Sequence, residues 1–410
     1  MTNPKTKTSH NFSLKTLYII SLYTLLFNST MAKSITTYNV VDFGAKPNGK
    51  IDSTKSFLMA WNKVCTSNKP SIIYVPHGKF LLGRVTFSGE LCVNKNISII
   101  IDGTLVAPSD YNVIGEASYW LMFEKVSGVS IHGGVLDGKG TSLWDCKNSG
   151  KSCPIGATVC NNEIRTLGFC NSDNIIVTGL TSRNSQMFHI VIYECRNVKV
   201  HGVKVVAPEN SPNTDGIHVQ LSSDITITKP KIRTGDDCIS IGPGSRNLWI
   251  EDVVCGPGHG ISIGSLGWSL NEPGVKNVTV KSATFSKTQN GFRIKSWGKP
   301  SGGFVRHVHF VDATMIDVQN PIIIDQNYCP FYKGCPNEES GVMIDDVSYK
   351  DIQGTSATKV AVKFECSSKQ PCKRIKLENV KLTLKDEAPK ALCNHVAGTA
   401  FGTVQPESCL

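Results

Sequence analysis

The chain of 410 residues is 40% hydrophobic and 19% charged, and it carries a formal net charge of +10 at neutral pH. A basic protein suits a polyanionic partner such as an acidic polysaccharide, although charge alone favours the simpler interpretation that a moderate net charge aids solubility. The sequence lacks the dense Lys/Arg run with interleaved aromatic residues that is typical of nucleic-acid binding, so no nucleic-acid partner is expected.

The first 32 residues have the pattern of a secretory signal peptide. Three lysines and no acid precede an almost wholly apolar run from Leu17 to Phe27, and Ala32 ends a suitable cleavage site. The run is too short to cross a bilayer, and nothing later in the chain approaches transmembrane length. We therefore expect residues 1–32 to be removed and residues 33–410 to form one secreted, extracellular domain without a membrane segment.

The mature chain is predicted to begin with a capping helix. Asp52-Ser53-Thr54 supplies helix-capping residues, and an apolar face follows. We expect this helix to cover the N-terminal end of the repeat array that follows, because the open end of a solenoid exposes its core. The residues of the apolar face are Phe57, Leu58, Ala60, Trp61 and Val64.

A repeat with strand character runs through the middle of the chain. Each copy opens with a polar residue suited to a turn and continues in strand alternation. The separations between copies are 23, 27, 23, 30 and 30 residues. The copies start at Asn174, Asn197, Asp224, Asn247, Asn277 and His307.

A second repeat, offset from the first, has an apolar residue at every other position. Two strands per repeat on different sides, joined by Gly- and Pro-rich turns, predict an all-β, right-handed parallel β-helix. Helical solenoids are disfavoured because the apolar period is two. The second repeat occurs at His189–Ile192, Asp215–Val219, Asp237–Ile241, His259–Ile263, Gly291–Ile294 and Pro321–Ile324.

Asp215, Asp237 and His259 occupy the first position of three consecutive copies of the second repeat. They are separated by 22 and again 22 residues, and Asp236 adjoins Asp237. Equivalent positions on neighbouring coils of a β-helix lie about 4.8 Å apart. We therefore expect these side chains to form one cluster. Strict strand alternation would turn Asp215 inward, so the prediction requires a bend at Gly216 or Cys238.

Clustered carboxylates can divide the work of glycosidic bond cleavage. Like charges at short range raise the pKa of at least one group, which gives a protonated acid beside an ionised base. Arg293 and Lys295 alternate on one strand face, where they would suit an anionic substrate. Gly258 and Gly260 are expected to leave room for that substrate. Taken singly, each motif is more commonly a turn or an exposed strand face, and their coincidence on consecutive coils carries the prediction.

With these motifs the chain resembles the plant polygalacturonases of glycoside hydrolase family 28. The resemblance extends from Tyr38 to the final cysteine and implies a β-helix of the pectin-lyase-like superfamily. It also implies hydrolysis of α-1,4-galacturonosyl linkages in de-esterified pectin in the plant cell wall. No metal, no cofactor and a monomer are expected. The motifs that carry it are Asn213-Thr214-Asp215-Gly216, Gly235-Asp236-Asp237-Cys238, Gly258-His259-Gly260 and Arg293-Ile294-Lys295.

The same resemblance implies individual roles. Asp236 would be the general acid, with Asp215 and Asp237 activating water and His259 supporting the acid. The residues that would bind substrate are Asn213, Arg293, Lys295 and Tyr328. Phe292 and Trp297 depart from the family pattern where substrate contacts could shift. The resemblance also implies inversion of configuration, although inverting carboxylates usually lie about 6.5–9.5 Å apart and adjacent coils bring acids closer.

Four alternatives remain open from the residues alone. The first two are an exo-acting polygalacturonase and a rhamnogalacturonan hydrolase, which differ in loops that the sequence does not define. A pectate lyase would need carboxylate-bound calcium and an arginine base. A non-catalytic cell-wall protein on the same fold would have no need of the acid cluster.

Fifteen cysteines in an exported chain imply disulfides and at least one unpaired thiol in a monomer. Cys170 and Cys195 lie about one coil apart and are expected to stack in the core as small hydrophobes. Asn96 and Asn277 lie in N-glycosylation sequons. The pairings favoured by sequence separation are Cys65–Cys92, Cys238–Cys255, Cys366–Cys372 and Cys393–Cys409, with Cys329–Cys335 as a further candidate.

Overall fold

In the computed structural model the chain forms a parallel β-helix, which confirms the predicted fold class. The structure describes Met1 and residues 35–115, 119–154, 165–330, 334–385 and 387–410. The predicted signal peptide lies outside the described residues except for Met1. No helix within the described ranges has the length and apolar character needed to span a bilayer.

One side of the β-helix is a narrow sheet, made of eleven strands within the described residues. All of its pairings are parallel, and the register follows the second sequence repeat: Ile217 pairs with Ile190 and with Ile239, and Ile239 pairs with Ile261. Numbered in chain order, its strands are β5 (Val85–Ser88), β7 (Tyr119–Glu124), β9 (Arg165–Cys170), β12 (Phe188–Tyr193), β15 (Ile217–Gln220), β18 (Ile239–Ile241), β20 (Ile261–Leu266), β22 (Asn290–Ser296), β24 (Asn320–Asp325), β26 (Val360–Glu365) and β28 (Lys390–Asn394).

The remaining sides form a wide sheet of eighteen described strands. Central coils contribute two short strands, whereas C-terminal coils contribute one long bent strand. Its strands are β1 (Thr36–Asn39), β2 (Asn48–Asp52), β3 (Ser71–Val75), β4 (Lys79–Leu81), β6 (Ile97–Val106), β8 (Ser127–Asp137), β10 (Asp173–Thr178), β11 (Thr181–Arg183), β13 (Arg196–His201), β14 (Lys204–Val206), β16 (Ser223–Thr228), β17 (Lys231–Arg233), β19 (Arg246–Cys255), β21 (Val275–Ser286), β23 (Phe304–Val318), β25 (Met343–Ser356), β27 (Cys372–Thr383) and β29 (Val396–Gln405).

The polar residues that open the first sequence repeat lie at equivalent turns of successive coils. Asn174, Asn197, Asp224, Asn247 and Asn277 all have φ between 54° and 60°, a left-handed conformation that Asn and Asp tolerate better than most residues. Their side chains bond from coil to coil, for example Asn277 Nδ2 to Asn247 Oδ1 at 2.8 Å. The sequence repeat therefore marks a structural turn that stacks along the solenoid.

The inward positions of all sheets fill one continuous apolar core. Aromatic side chains stack along it between coils, as in Phe87–Phe123–Phe169, whose successive ring centroids are 4.7 and 5.4 Å apart. Phe292 is fully buried and stacks on Phe310 at 4.4 Å. The expectation that Phe292 shifts substrate contacts is therefore wrong, because the parity of its strand places it inside the core.

The predicted capping helix is confirmed as α1 (Thr54–Cys65), which packs on the first coils. The Trp61 ring lies 5.3 Å from that of Phe87. Ser53 occupies the N-cap position without a side-chain cap bond; Asp52 Oδ1 instead accepts from the Thr54 amide at 2.7 Å. Three other short helices are described, a 3₁₀ turn at Val40–Phe43, α2 (Asn112–Gly115) and α3 (Thr141–Asn148).

All five proposed disulfides are present, and the pair Cys393–Cys409 ties down the C-terminal tail. A sixth disulfide joins Cys146 to Cys153 and was not predicted. Cys195 is a free, buried thiol, as expected. Cys170 is disulfide-bonded, so the expectation that it is only a small core hydrophobe is wrong.

Candidate active site

The predicted acids lie in the turns that precede strands of the narrow sheet. Strand β15 begins two residues after Asp215, and β18 begins two residues after Asp237. The backbone ladder continues through these turns, since the Gly216 amide donates to Asp237 O at 2.9 Å. Asp215 and Asp237 lie outside these strands, so the alternation of inward and outward side chains does not extend to them. The turns therefore provide the bend that the sequence analysis required.

Asp237 is the most heavily bonded of the three acids. Its Oδ1 accepts from Arg293 Nη2 at 2.7 Å and from Ser262 Oγ at 2.8 Å, and its Oδ2 accepts from Lys295 Nζ at 2.9 Å. Burial alone would raise the pKa of Asp237, but the two cations and the hydroxyl outweigh it and lower that pKa to about 2. Asp237 is therefore ionised at any physiological pH.

Asp215 has the opposite electrostatic character. It is buried, and no cation forms an ion pair with it among the described residues. Burial raises the pKa of Asp215 well above its usual value, and the neighbouring charges of Asp236 and Asp237 raise it further. The pKa values of Asp215 and Asp237 are therefore shifted in opposite directions within one cluster.

Asp236 is the most accessible of the three acids, with 20% of its side chain exposed. Its Oδ1 lies 3.1 Å from His259 Nδ1 and accepts from the Asp237 amide at 2.8 Å. The His259 amide also donates to Asp236 O at 2.8 Å, which fixes the two turns together. Lys147 on α3 is a further neighbour: burial lowers its pKa, and the charge of Asp236 opposes that shift.

The two glycines beside His259 serve packing. A Cβ at Gly260 would lie 2.1 Å from Asn290 O, and one at Gly258 would lie 3.0 Å from Asp236 O. Their φ angles of 89° and 153° are also unfavourable for other residues. The expectation that these glycines leave room for substrate is wrong, because adjacent coils occupy that space.

The structure brings seven of the eight proposed site residues into one cluster. Six of them are joined by hydrogen bonds, ion pairs or ring contacts, and Asp215 interacts electrostatically with Asp236 and Asp237. Tyr328 lies beneath the cations, with Lys295 Nζ 5.1 Å and the Arg293 guanidinium carbon 5.9 Å from its ring centroid. Asn213 is exposed, two residues before Asp215, in a left-handed conformation with φ of 56°. No contact joins its side chain to the other seven among the described residues.

Sequence reasoning missed Ser262, which bridges the site by donating to Asp237 and accepting from Arg293 Nε at 2.9 Å. Its outward position in β20, in register with Arg293, is a signal that the repeat already contained.

The acids and the histidine of this site could in principle serve as metal ligands. One ligand atom each from Asp236, Asp237 and His259 lie within 4.8 Å of one another. However, both oxygens of Asp237 already accept from cationic side chains, and a divalent cation there would be repelled by Arg293 and Lys295. The cluster is therefore better suited to proton transfer than to metal binding.

Comparison with known proteins places this geometry in a family. The family model described as glycosyl hydrolases family 28 matches residues 65–407. The chain is 60% identical over 398 residues to a polygalacturonase of Prunus persica, covering 97% of this chain and 99% of that protein. It is 40% identical over 372 residues to an exopolygalacturonase of Platanus acerifolia, covering 90% and 96% of the two chains.

A solved structure has the same fold. The endo-xylogalacturonan hydrolase from Aspergillus tubingensis superimposes with a TM-score of 0.77 at 22% identity, covering 91% of this chain and 100% of that one. The sequence match and the connected acid cluster lead to one conclusion: the chain belongs to glycosyl hydrolases family 28.

Proposed function

We propose that this protein is a polygalacturonase that hydrolyses α-1,4-galacturonosyl linkages of de-esterified pectin. The observation that carries the proposal is a cluster of three carboxylates, one of which is held ionised between two buried cations. Asp237 is held ionised by Arg293 and Lys295, while Asp236 lies accessible beside it. Such a cluster can donate a proton, activate water and attract an anionic sugar. The name of the Prunus persica relative supports the same substrate.

Asp236 is the proposed proton donor, because a donor must reach the glycosidic oxygen and Asp236 is the most exposed acid. His259 bonds to Asp236 and positions it. Asp237 is the proposed base, because it stays ionised, and Asp215 would hold the attacking water with it. Arg293, Lys295, Tyr328 and Asn213 would bind the sugar.

The stereochemical proposal is inversion. A carboxylate oxygen of Asp236 lies within 4.8 Å of one of Asp237. This distance is shorter than the separation of roughly 6.5–9.5 Å that is usual between the two carboxyl groups of inverting enzymes. A water held jointly by Asp215 and Asp237 would still attack from the side opposite Asp236. The anomeric form of the first product, followed by NMR, tests inversion directly.

The protein is proposed to be extracellular, in the plant cell wall. It would act as a monomer after removal of a signal peptide of residues 1–32. The six disulfides between described cysteines support an oxidising compartment. Expression through a secretory pathway, followed by N-terminal sequencing, would show Lys33 as the first residue if cleavage follows Ala32.

Product analysis on polygalacturonate tests the activity against its alternatives. Saturated oligomers would support an endo-acting hydrolase, and monomer alone would support the exo-acting alternative that the Platanus acerifolia name suggests. Products with unsaturated ends that form only in the presence of calcium would show that the protein is a pectate lyase rather than a hydrolase. Cleavage of rhamnogalacturonan but not of polygalacturonate would identify the protein as a rhamnogalacturonan hydrolase. An absence of products from both polymers would leave the non-catalytic cell-wall protein.

A further inference from the structure

A row of three aromatic side chains extends from the proposed site along the C-terminal ends of three strands. Trp268 follows β20, Trp297 follows β22 and Tyr328 follows β24. The Trp268 and Trp297 ring centroids are 5.1 Å apart, and those of Trp297 and Tyr328 are 5.4 Å apart. Tyr328 lies beneath Lys295, so this aromatic row is continuous with the proposed substrate-binding residues.

The outer member of the row is exposed and carries a cation. Trp268 is 61% exposed, and Lys299 Nζ lies 3.7 Å from its ring centroid. Among the described residues no acid forms an ion pair with Lys299, so its charge remains available for an anionic ligand. An exposed tryptophan alone needs no explanation, but one joined to a free cation and a row of rings does.

A concave surface accompanies these side chains. The residues that line a cavity of about 210 Å³ include Trp268, Trp297, Lys299, Cys329, Pro330 and Pro336. The Cys329–Cys335 disulfide braces this lining at Cys329. Ring faces, a cation and a braced concave shape are the features that bind a small polar ligand with an apolar face.

We propose that Trp268, Trp297 and Lys299 form an additional subsite that binds one galacturonate unit of the polymer, beyond the unit bound by Arg293 and Lys295. The C–H face of the sugar ring would pack on the indoles, and its carboxylate would pair with Lys299. The proposal rests on the proposed function, because it requires an acidic polysaccharide that already occupies the neighbouring site.

The consequence is a dependence on chain length. For the wild type, kcat/KM should rise by about tenfold when a galacturonate oligomer becomes one unit longer and fills this subsite. Trp268→Ala and Lys299→Met should each remove most of that rise. The matched control is Trp249→Ala, because Trp249 is also an exposed indole but lies on the wide sheet and donates to Glu251.

Hydrolysis of a size-graded series of oligogalacturonates measures this dependence, and titration with the same oligomers followed by indole fluorescence measures binding directly. If the wild type cleaves the series and both variants keep its length dependence, the subsite is overturned while the proposed function survives. If the wild type cleaves none of the series, the proposed function fails. In that case, loss of the fluorescence response in Trp268→Ala but not in Trp249→Ala would still support the subsite, and an equal response in both would overturn it.

Discussion

Lys295 Nζ lies 2.9 Å from Asp237 Oδ2, and both side chains are more than nine-tenths buried. The resemblance to known enzymes implied that Lys295 binds the substrate carboxylate, yet in this structure it already bonds an acid of the protein. The two roles are compatible, because an ammonium group has three donors. Lys295 therefore links substrate binding to the ionisation of the proposed base.

This ion pair should stabilise the protein only where Asp237 is ionised. Its folded pKa of about 2 lies below the unfolded value of about 3.9. The lowered pKa, to which Lys295, Arg293 and Ser262 all contribute, corresponds to a stabilisation on the order of 2 kcal/mol that is complete above pH ~4 and is lost as pH falls towards 2. Lys295→Met should lower the melting temperature most near pH 6, with a difference from wild type that shrinks as the solution is acidified.

Lys350→Met is the matched control for that measurement. Lys350 bonds Glu378 at 2.7 Å, but both side chains are more than 40% exposed, so the loss should be at most about 1 kcal/mol. A difference between wild type and Lys295→Met that stays constant from neutral to acidic pH would contradict the lowered pKa of Asp237.

Asp236→Asn should reduce kcat by about 10²–10⁴-fold, the usual contribution of a general acid. Its side chain is partly exposed and lies outside the core, so the melting temperature should change little. Asp224→Asn is the control, since Asp224 is an exposed acid at a turn on the wide sheet. The measurement is kcat on polygalacturonate and on a nitrophenyl galacturonide, an aryl substrate whose weakly basic leaving group departs without protonation and should restore part of the lost rate.

The raised pKa of Asp215 makes that residue the competing donor. If Asp215→Asn recovers on the aryl substrate and Asp236→Asn does not, the donor is Asp215 and the roles proposed above are exchanged.

The disulfide Cys238–Cys255 begins at the residue directly after Asp237 and spans 17 residues. Replacing both cysteines by alanine should cost about 3 kcal/mol of unfolding free energy and also lower kcat/KM, because the turn that carries the acids loses an anchor. The Cys366–Cys372 disulfide spans 6 residues far along the chain. Its double alanine variant should lose about 2 kcal/mol and keep wild-type kcat/KM. Equal kinetics in both variants, measured on folded protein, would mean that the first disulfide does not position Asp237.

The coil register could be predicted from the sequence because it follows from strand parity and spacing. The distances of 22 residues placed Asp215, Asp237 and His259 at equivalent positions, and the polar turn residues such as Asn247 marked a stacked corner. The same parity, applied to Phe292, would have placed it in the core.

Side-chain targets were harder to predict, because they depend on which groups meet across neighbouring coils. Strand alternation predicted that Arg293 and Lys295 point to the same face of the sheet, but it did not predict that both form ion pairs with Asp237. Gly260 reads from sequence as open space, whereas the backbone of Asn290 fills it. These contacts are fixed by interatomic distances of a few ångströms, which repeat spacing does not specify.

Charge on the substrate provides the final prediction. Methyl esterification removes the carboxylate charge of a galacturonate unit and leaves its ring, so the cations Arg293 and Lys295 lose their partner. For the wild type, kcat/KM on polygalacturonate should exceed that on highly esterified pectin by at least about tenfold. Lys295→Met should lower both values, because Asp237 also loses a partner, and should shrink the ratio between them. The ratio therefore isolates substrate recognition from the effect on the base. Lys350→Met should keep the wild-type ratio. If the wild type itself cleaves both polymers equally well, Arg293 and Lys295 serve only to ionise Asp237, and the proposed recognition of an acidic sugar by these two cations is wrong.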